Sequence, residues 1–472
     1  MADQTIEQKI LDWIDAHQHD IIAGIQENIH IPSVKGEPVE GAPFGQATRD
    51  ALDNAISLGE KYGLAGKHLD GYASHLEWRA EGVAADAPIV GILGHLDVVP
   101  PGEGWVRPPF GAEIENGILY SRGALDDKGP ILSALFGLIA AKECGATSLR
   151  RVRVILGADE ESGFGCVKHY FAHEEMPETG FTPDGAFPLI YAEKGITDIV
   201  LSASIPSDPG AITLTGLTAG NRTNMVPDRA IATFAGNADV LNAASAHFGE
   251  YDRVSAEMVD DILKITAVGL SAHGSTPDDG VNAVAILTRA LGTMNLPADQ
   301  AALVATIERW ASDTTGGALG IAWKDDVSGP LTSNLGVVST DERIRLTFNI
   351  RYPVTDKLDR IVREITATAE AAGFAVDSVK DAPPLYVPLD DPLVATLLDV
   401  YRGQTNDLRE PMTMGGGTYA RSMKKGVAFG PGLPTTPGGP HQSDECWPID
   451  ELISATKVYA LAILRLANLP LG

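Results

Sequence analysis

Cysteine is scarce in this chain of 472 residues: Cys144, Cys166 and Cys446 are the only three, odd in number and widely spaced. They make no CxxC pair and no disulfide framework, which points to a reducing, cytoplasmic setting. Long apolar runs are missing too. The most tempting stretch, residues 131–141, falls well short of the roughly 20 residues that span a bilayer and suits a buried helix instead. The opening MADQTIEQ is polar and acidic, so no signal peptide is expected. Positive charge is also in short supply. Against 63 Asp and Glu there are 36 Lys and Arg, a formal net charge of −27 that argues against nucleic acid or an anionic membrane as partner.

What remains is 44 % hydrophobic and 21 % charged residues, the balance of a folded soluble protein. The length exceeds one ordinary core, so two domains are expected. Up to about residue 190 the chain reads as α/β, with strands at 88–93 and 151–156 and a helix at 131–143 that begins Gly129-Pro130. The alternation predicts a mainly parallel sheet covered by helices, with active residues just past the carboxyl ends of strands. In the middle, a strand at 230–234, a helix at 238–251 and a strand at 262–268 are followed by the same order at 344–350, 355–373 and 375–380. This suggests an α+β insert of two similar strand–helix–strand units. After Pro383-Pro384 the α/β character returns, with helices at 391–402 and 452–467. The predicted organisation is one discontinuous domain, 1–190 with 385–472, interrupted by a lobe at 191–384.

Chemistry-bearing residues gather where the strands end. His95 and Asp97, two apart on an extended segment, point to one side. That spacing suits a metal-ligating imidazole whose second ring nitrogen is steadied by a carboxylate, although an HxD alone is also ordinary structure. Asp126-Asp127 precedes a helix and reads either as a helix cap or as a carboxylate shared by two ions about 3.5–4 Å apart. Glu160-Glu161 closes an apolar strand, where adjacent like charges call for a cation unless the turn is solvated. Because neighbouring side chains diverge, the pair suits a ligand beside a general base. Asp184 lies in a Pro-Asp-Gly turn and His441 in the stiff loop PGGPHQSDE. Two histidines and three carboxylates suit Zn²⁺, with Mn²⁺ or Co²⁺ as substitutes. Gly415-Gly416-Gly417-Thr418 lacks the Lys-Ser/Thr of a phosphate-binding loop.

In their order, GHLDVVP (94–100), LDDKGP (125–130), ADEESG (158–163), Pro183-Asp184 and PGGPHQSDE (437–445) resemble the motifs of the M20 metallopeptidases, and most the dipeptidase V-like (Xaa-His dipeptidase) branch. The resemblance covers nearly the whole chain. It implies a zinc-peptidase-like catalytic domain with an inserted lid, and two Zn²⁺ per chain. One ion would be held by His95, Asp126 and Asp184, the other by Asp126, Glu161 and His441, with Glu160 as general base and Asp97 behind His95. In the lobe it implies His273 as an oxyanion donor, Asn224 and Arg351 as substrate contacts, and the loop Gly416-Gly417-Thr418 beside the substrate. The implied activity is hydrolysis of dipeptides by a chain that would suffice as a monomer. A carboxypeptidase or an N-acyl-amino-acid deacylase of the same family is the alternative. A silent metal-binding protein would have no need of Glu160, and a two-carboxylate glycosidase no need of His95 and His441.

Overall fold

Residues 89–95 and 151–157 are rich in Val, Ile and Leu on both faces, the pattern of strands covered on two sides. The computed structural model describes residues 4–206, 211–248 and 251–470. In it these runs are the strands Ile89–His95 and Arg151–Gly157, buried throughout and paired in parallel from Ile89↔Arg151 to His95↔Gly157. Thr179–Thr182 joins in parallel beside Ile89–His95, and Gly426–Ala428 in parallel beside Thr179–Thr182. On the other side Ala73–Trp78 and Ala65–Leu69 add antiparallel pairings. The sheet is therefore mixed, with a parallel centre, where a mainly parallel one was expected. The turn between those two strands accounts for their own antiparallel pairing. Asp70 and Gly71 both take positive φ, the geometry of a tight hairpin, which can only return the chain antiparallel.

The helix Lys128–Glu143 is buried at every position from Lys128 to Ala141, as its unbroken apolar character foretells. Lys128 ties its first turn to the main-chain oxygens of Asn28 and Ile31, at 2.8 and 2.7 Å. No described helix is long and apolar enough to cross a membrane.

The chain divides into two compact units: residues 1–191, 386–412 and 417–472, and residues 192–385 with 413–416. The second unit is built on an eight-stranded sheet. Its strands neighbour one another in the order Val254–Val259, Ile262–Val268, Arg229–Gly236, Ile212–Ala219, Thr332–Thr340, Ile344–Tyr352, Gly195–Ala203, Ala375–Ala382. Both halves share one plan. Arg229–Gly236 leads through helix Ala238–His247 to Val254–Val259, with Ile262–Val268 antiparallel between the two strands. Ile344–Tyr352 leads through helix Leu358–Ala371 to Ala375–Ala382, with Gly195–Ala203 antiparallel between them. The matching strand of the first half is thus Val254–Val259 rather than the expected 262–268. It is a largely exposed edge strand with only Val254 of its six residues buried, so it lacks the apolar run of a covered strand. The expected end of the first helix, at 251, runs across 249–250, which lie outside the described residues.

Candidate metal centre

Three neighbouring parallel strands finish at one place in the first unit. Ile89–His95 ends on His95, Arg151–Gly157 runs into Asp159-Glu160-Glu161, and Thr179–Thr182 into Pro183-Asp184. Such strand ends collect sites because their loops open on a common edge. Asp126 arrives from the start of the buried helix, and His441 from the loop before the short strand Cys446–Pro448.

The distances link these residues. His95 Nε2 lies 3.1 Å from Asp126 Oδ1 and 3.8 Å from Asp184 Oδ2. His441 Nε2 lies 3.1 Å from Asp126 Oδ2 and 3.0 Å from Glu161 Oε1. Asp126 therefore turns one oxygen to each imidazole, as a bridging carboxylate does. Ligand atoms of His95, Glu160 and Asp184 lie within 4.8 Å of one another, and so do those of His95, Asp126 and Glu161. Glu160 thus stands inside the same cluster as the residues expected to be ligands.

Other carboxylates hold the frame. Asp97 does so differently from expectation: His95 Nδ1 sits 2.9 Å from the Asp97 main-chain oxygen but 3.6 Å from its carboxylate. That carboxylate accepts the N–H groups of Glu160 and Glu161 at 3.1 and 3.2 Å, so it positions the acidic pair. Asp127 makes no side-chain cap on the helix it precedes; its Oδ2 accepts the His95 N–H at 3.0 Å. Only glycine at 94 permits this approach, since a Cβ there would lie 2.4 Å from Asp127 Oδ2. Glu445, fully buried, accepts the N–H groups of Gly123, Leu125 and Asp126 on Oε1 at 3.1, 2.9 and 3.1 Å, and Arg122 Nη1 on Oε2 at 2.5 Å. Asp444 Oδ1 accepts from Val106 and Arg107 N–H at 3.2 Å each. His441 itself is held at φ 66°, a left-handed conformation unusual for histidine.

The electrostatics ask for cations. Burial, then the Asp184 charge, drives the Glu160 carboxyl well above its usual range, and burial does the same to Asp127 and raises Asp97. Burial lowers the His95 imidazole, but the Asp126 hydrogen bond and the Asp97 and Glu160 charges more than reverse this. Hydrogen bonds donated to the Asp126 and Glu161 carboxylates push His441 up to about 10. Protons are drawn in because the carboxylates crowd together, and divalent cations answer the same field. The donors, imidazole and carboxylate in two sets sharing Asp126, fit a dinuclear centre.

The remaining expected residues fall as follows. Thr418, in the first unit, accepts the Ala420 N–H and starts the turn Tyr419–Ser422; the Tyr419 ring stands edge-on to His95 at 6.0 Å. Gly417 precedes it in the same unit, whereas Gly416 belongs to the second. In the second unit, exposed His273 and Asn224 lie on adjoining loops. Met225 bridges to His273, and the Gly274 N–H bonds the Asn224 oxygen at 2.7 Å. His273 Nδ1 is 2.6 Å from Ser275 Oγ. It does not cap the following helix, Ala283–Leu291, because Asn282 does. Arg351 is buried on Ile344–Tyr352, with Nη1 donating to the Gly415 oxygen at 3.0 Å. Sequence reasoning did not assign roles to Asp127, Glu445, Arg122 or Tyr419. The first two stand inside quoted motifs, and the adjacent acidic pairs were their only signal.

Residues 91–465 match the peptidase family M20/M25/M40. The chain is 42 % identical over 464 residues to the Bacillus subtilis (strain 168) protein named "Putative dipeptidase YtjP", covering 96 % of this chain and 98 % of that one. A like-named Staphylococcus saprophyticus protein, SSP1012, is 34 % identical over 467 residues, covering 96 % and 98 %. Among solved structures, human carnosine dipeptidase 1 superposes with a TM-score of 0.57 at 15 % identity, covering 98 % of this chain and 99 % of that one. The Saccharomyces cerevisiae di-peptidase Dug1p gives 0.57 at 14 %, covering 98 % of each. The Bacillus subtilis YXEP protein, described as a dinuclear metal binding peptidase from the M20 family, gives 0.51 at 10 %, covering 96 % and 99 %. On the extent of the family match and the identity to full-length relatives, the chain belongs to peptidase family M20/M25/M40 and is a metallopeptidase.

Proposed function

We propose that this metallopeptidase is a dipeptidase of the dipeptidase V-like branch, acting on short peptides with free ends. The observation that carries the reading is Asp126, whose two oxygens each lie 3.1 Å from a different imidazole. Similarity over nearly full length to proteins named as dipeptidases supports the substrate class. His95, Asp126 and Asp184 would hold one ion and Asp126, Glu161 and His441 the other, Zn²⁺ with Mn²⁺ or Co²⁺ as substitutes. When bound, such a pair supplies Lewis acidity for activating water and polarising a carbonyl.

The chain's own residues do the rest. Glu160 accepts a proton from the attacking water at its carboxylate and passes it to the leaving nitrogen, a role that suits a carboxylate standing within the cluster of ligands. Asp97 keeps Glu160 and Glu161 in place through their main-chain N–H groups. His273 donates to the developing oxyanion. Arg351 receives the terminal carboxylate, with Asn224, Gly416, Gly417 and Thr418 beside the substrate. A monomer suffices for this scheme, and three free cysteines support a cytoplasmic setting. The test is a panel of free dipeptides, tetrapeptides and N-acetyl amino acids with defined Zn²⁺. Free dipeptides should have much the highest kcat/KM; equal turnover of an N-acetyl amino acid would assign the protein to the deacylases, and of tetrapeptides to the carboxypeptidases.

A further inference from the structure

Three polar side chains stand in a row across neighbouring strands of the second unit. Asn349, on Ile344–Tyr352, is the direct cross-strand partner of Asp198 on Gly195–Ala203 and of Asn334 on Thr332–Thr340. Residues paired in this way share a face of the sheet, and Arg351, two positions along the strand from Asn349, shares it too. Asn349 Nδ2 donates to Asp198 Oδ1 at 2.6 Å, while Asn349 Oδ1 accepts from Arg351 Nε at 2.9 Å. The amide can lie only one way round, because a carboxylate only accepts and a guanidinium only donates. Asp198 Oδ2 takes the Thr223 hydroxyl at 3.0 Å, and Asn334 Nδ2 donates to the main-chain oxygens of Thr223 and Met225 at 3.1 and 2.9 Å. One hydrogen-bonded row therefore holds both Arg351 and the loop that carries Asn224.

A guanidinium recognises a carboxylate through a planar fork, so the angle of its plane decides whether two parallel bonds can form. Asn349 on Nε and the Gly415 oxygen on Nη1 both help to set that plane. We infer that Asn349, backed by Asp198, is a positioning residue that aims the Arg351 fork at the terminal carboxylate of the substrate. The inference rests on the reading of Arg351 given above, and it makes the row a determinant of specificity for free peptide ends.

The test uses the whole metal-loaded enzyme and the fastest free dipeptide of the panel, compared with the same dipeptide amidated at its C-terminus. The readout is the ratio of the two kcat/KM values, which a general loss of stability would not move. Asn349→Asp sets carboxylate against carboxylate and should lower the ratio about tenfold or more, the scale of one charge-assisted hydrogen bond. The loss should appear chiefly in the KM of the free dipeptide. The double variant Asn349→Asp with Asp198→Asn reverses the same bond: an amide at 198 donates to a carboxylate at 349, which still accepts from Arg351. It should recover most of the ratio. Should Asn349→Asp fail to fold, Asp198→Ala carries the test by removing the anchor behind Asn349, with the same fall expected. An unchanged ratio, or a fall that the double variant does not recover, overturns the positioning role. Arg351→Met separates the two readings. If it leaves the ratio unchanged, the Arg351 reading itself fails; if it lowers the ratio while Asn349→Asp does not, only the role of Asn349 falls.

Discussion

Replacing Glu445 by alanine removes the acceptor on which the Asp126 segment rests. The carboxylate is fully buried and serves four donors, the N–H groups of Gly123, Leu125 and Asp126 and the buried Arg122 guanidinium. Removing one member of a buried ion pair costs about 3–5 kcal/mol, because the other charge stays behind uncompensated. Each orphaned N–H would add about 1–3 kcal/mol if nothing replaced the oxygen. Those terms do not simply sum, since all four donors face one vacated space that water can enter. The expected loss for Glu445→Ala is therefore about 3–5 kcal/mol. Glu445→Gln keeps an oxygen for the N–H groups and gives up the charged part of the Arg122 bond, so about 1–2 kcal/mol is expected. Denaturant unfolding of the metal-free protein measures both. The Asp126 N–H is among the lost bonds, so Zn²⁺ affinity, read by competition with a chromophoric chelator, should fall about 10–100-fold in the alanine variant. Stability within about 1 kcal/mol of wild type, the range of ordinary surface changes, together with unchanged Zn²⁺ affinity would refute the reasoning.

Two further predictions concern the acidic pair of the metal centre and a buried histidine on Ala73–Trp78. Glu160→Gln should keep two metal ions per chain by elemental analysis yet lose at least about 10²-fold in kcat, whereas Glu161→Gln should lose metal; reversed phenotypes would exchange the two roles. His75 concerns stability and pH. Burial, with Arg153 and Lys67 nearby, lowers its imidazole to about 3 from the ordinary 6.5. Because the folded value is the lower one, its stabilisation is complete above pH 6.5 and drains away as pH falls toward 3, at about 1.4 kcal/mol per pH unit. His75→Gln should flatten the stability profile between pH 6.5 and 5, and an unaltered slope would count against the assignment.

The sequence disclosed the parallel centre of the first sheet and the residues at its strand ends because both depend on local pattern. Strands covered on two faces read as unbroken apolar runs, and their last residues mark the edge where loops converge. The hairpin Ala65–Leu69 with Ala73–Trp78 carries no such mark: its first strand is largely exposed, and its direction is set by a turn of three residues. Val254–Val259 escaped for the same reason. Both are edge strands that lie largely exposed, so neither has the unbroken apolar run of a strand covered on two faces.

The harder question was which carboxylate does what, and adjacent acidic pairs show why sequence alone stops short. Neighbouring side chains diverge, so each pair splits between two environments, but the direction of the split depends on elements remote in the chain. Asp126 faces His95 and His441 while Asp127 turns to the His95 N–H. Asp444 takes the N–H groups of Val106 and Arg107 while Glu445 takes those of Gly123, Leu125 and Asp126. Asp97 reaches 63 and 64 residues along the chain to the acidic pair. In every case the acceptor and the N–H it satisfies belong to different segments of the chain. These bonds join the segments at 95–97, 122–127, 159–161 and 441–445 through carboxylates that face main chain rather than the centre. The division of labour has a physical basis: a buried carboxylate held by N–H dipoles is fixed in place, whereas one left to face its own kind is stabilised by a cation. The first kind orders the loops, and the second makes the site they surround a place for metal.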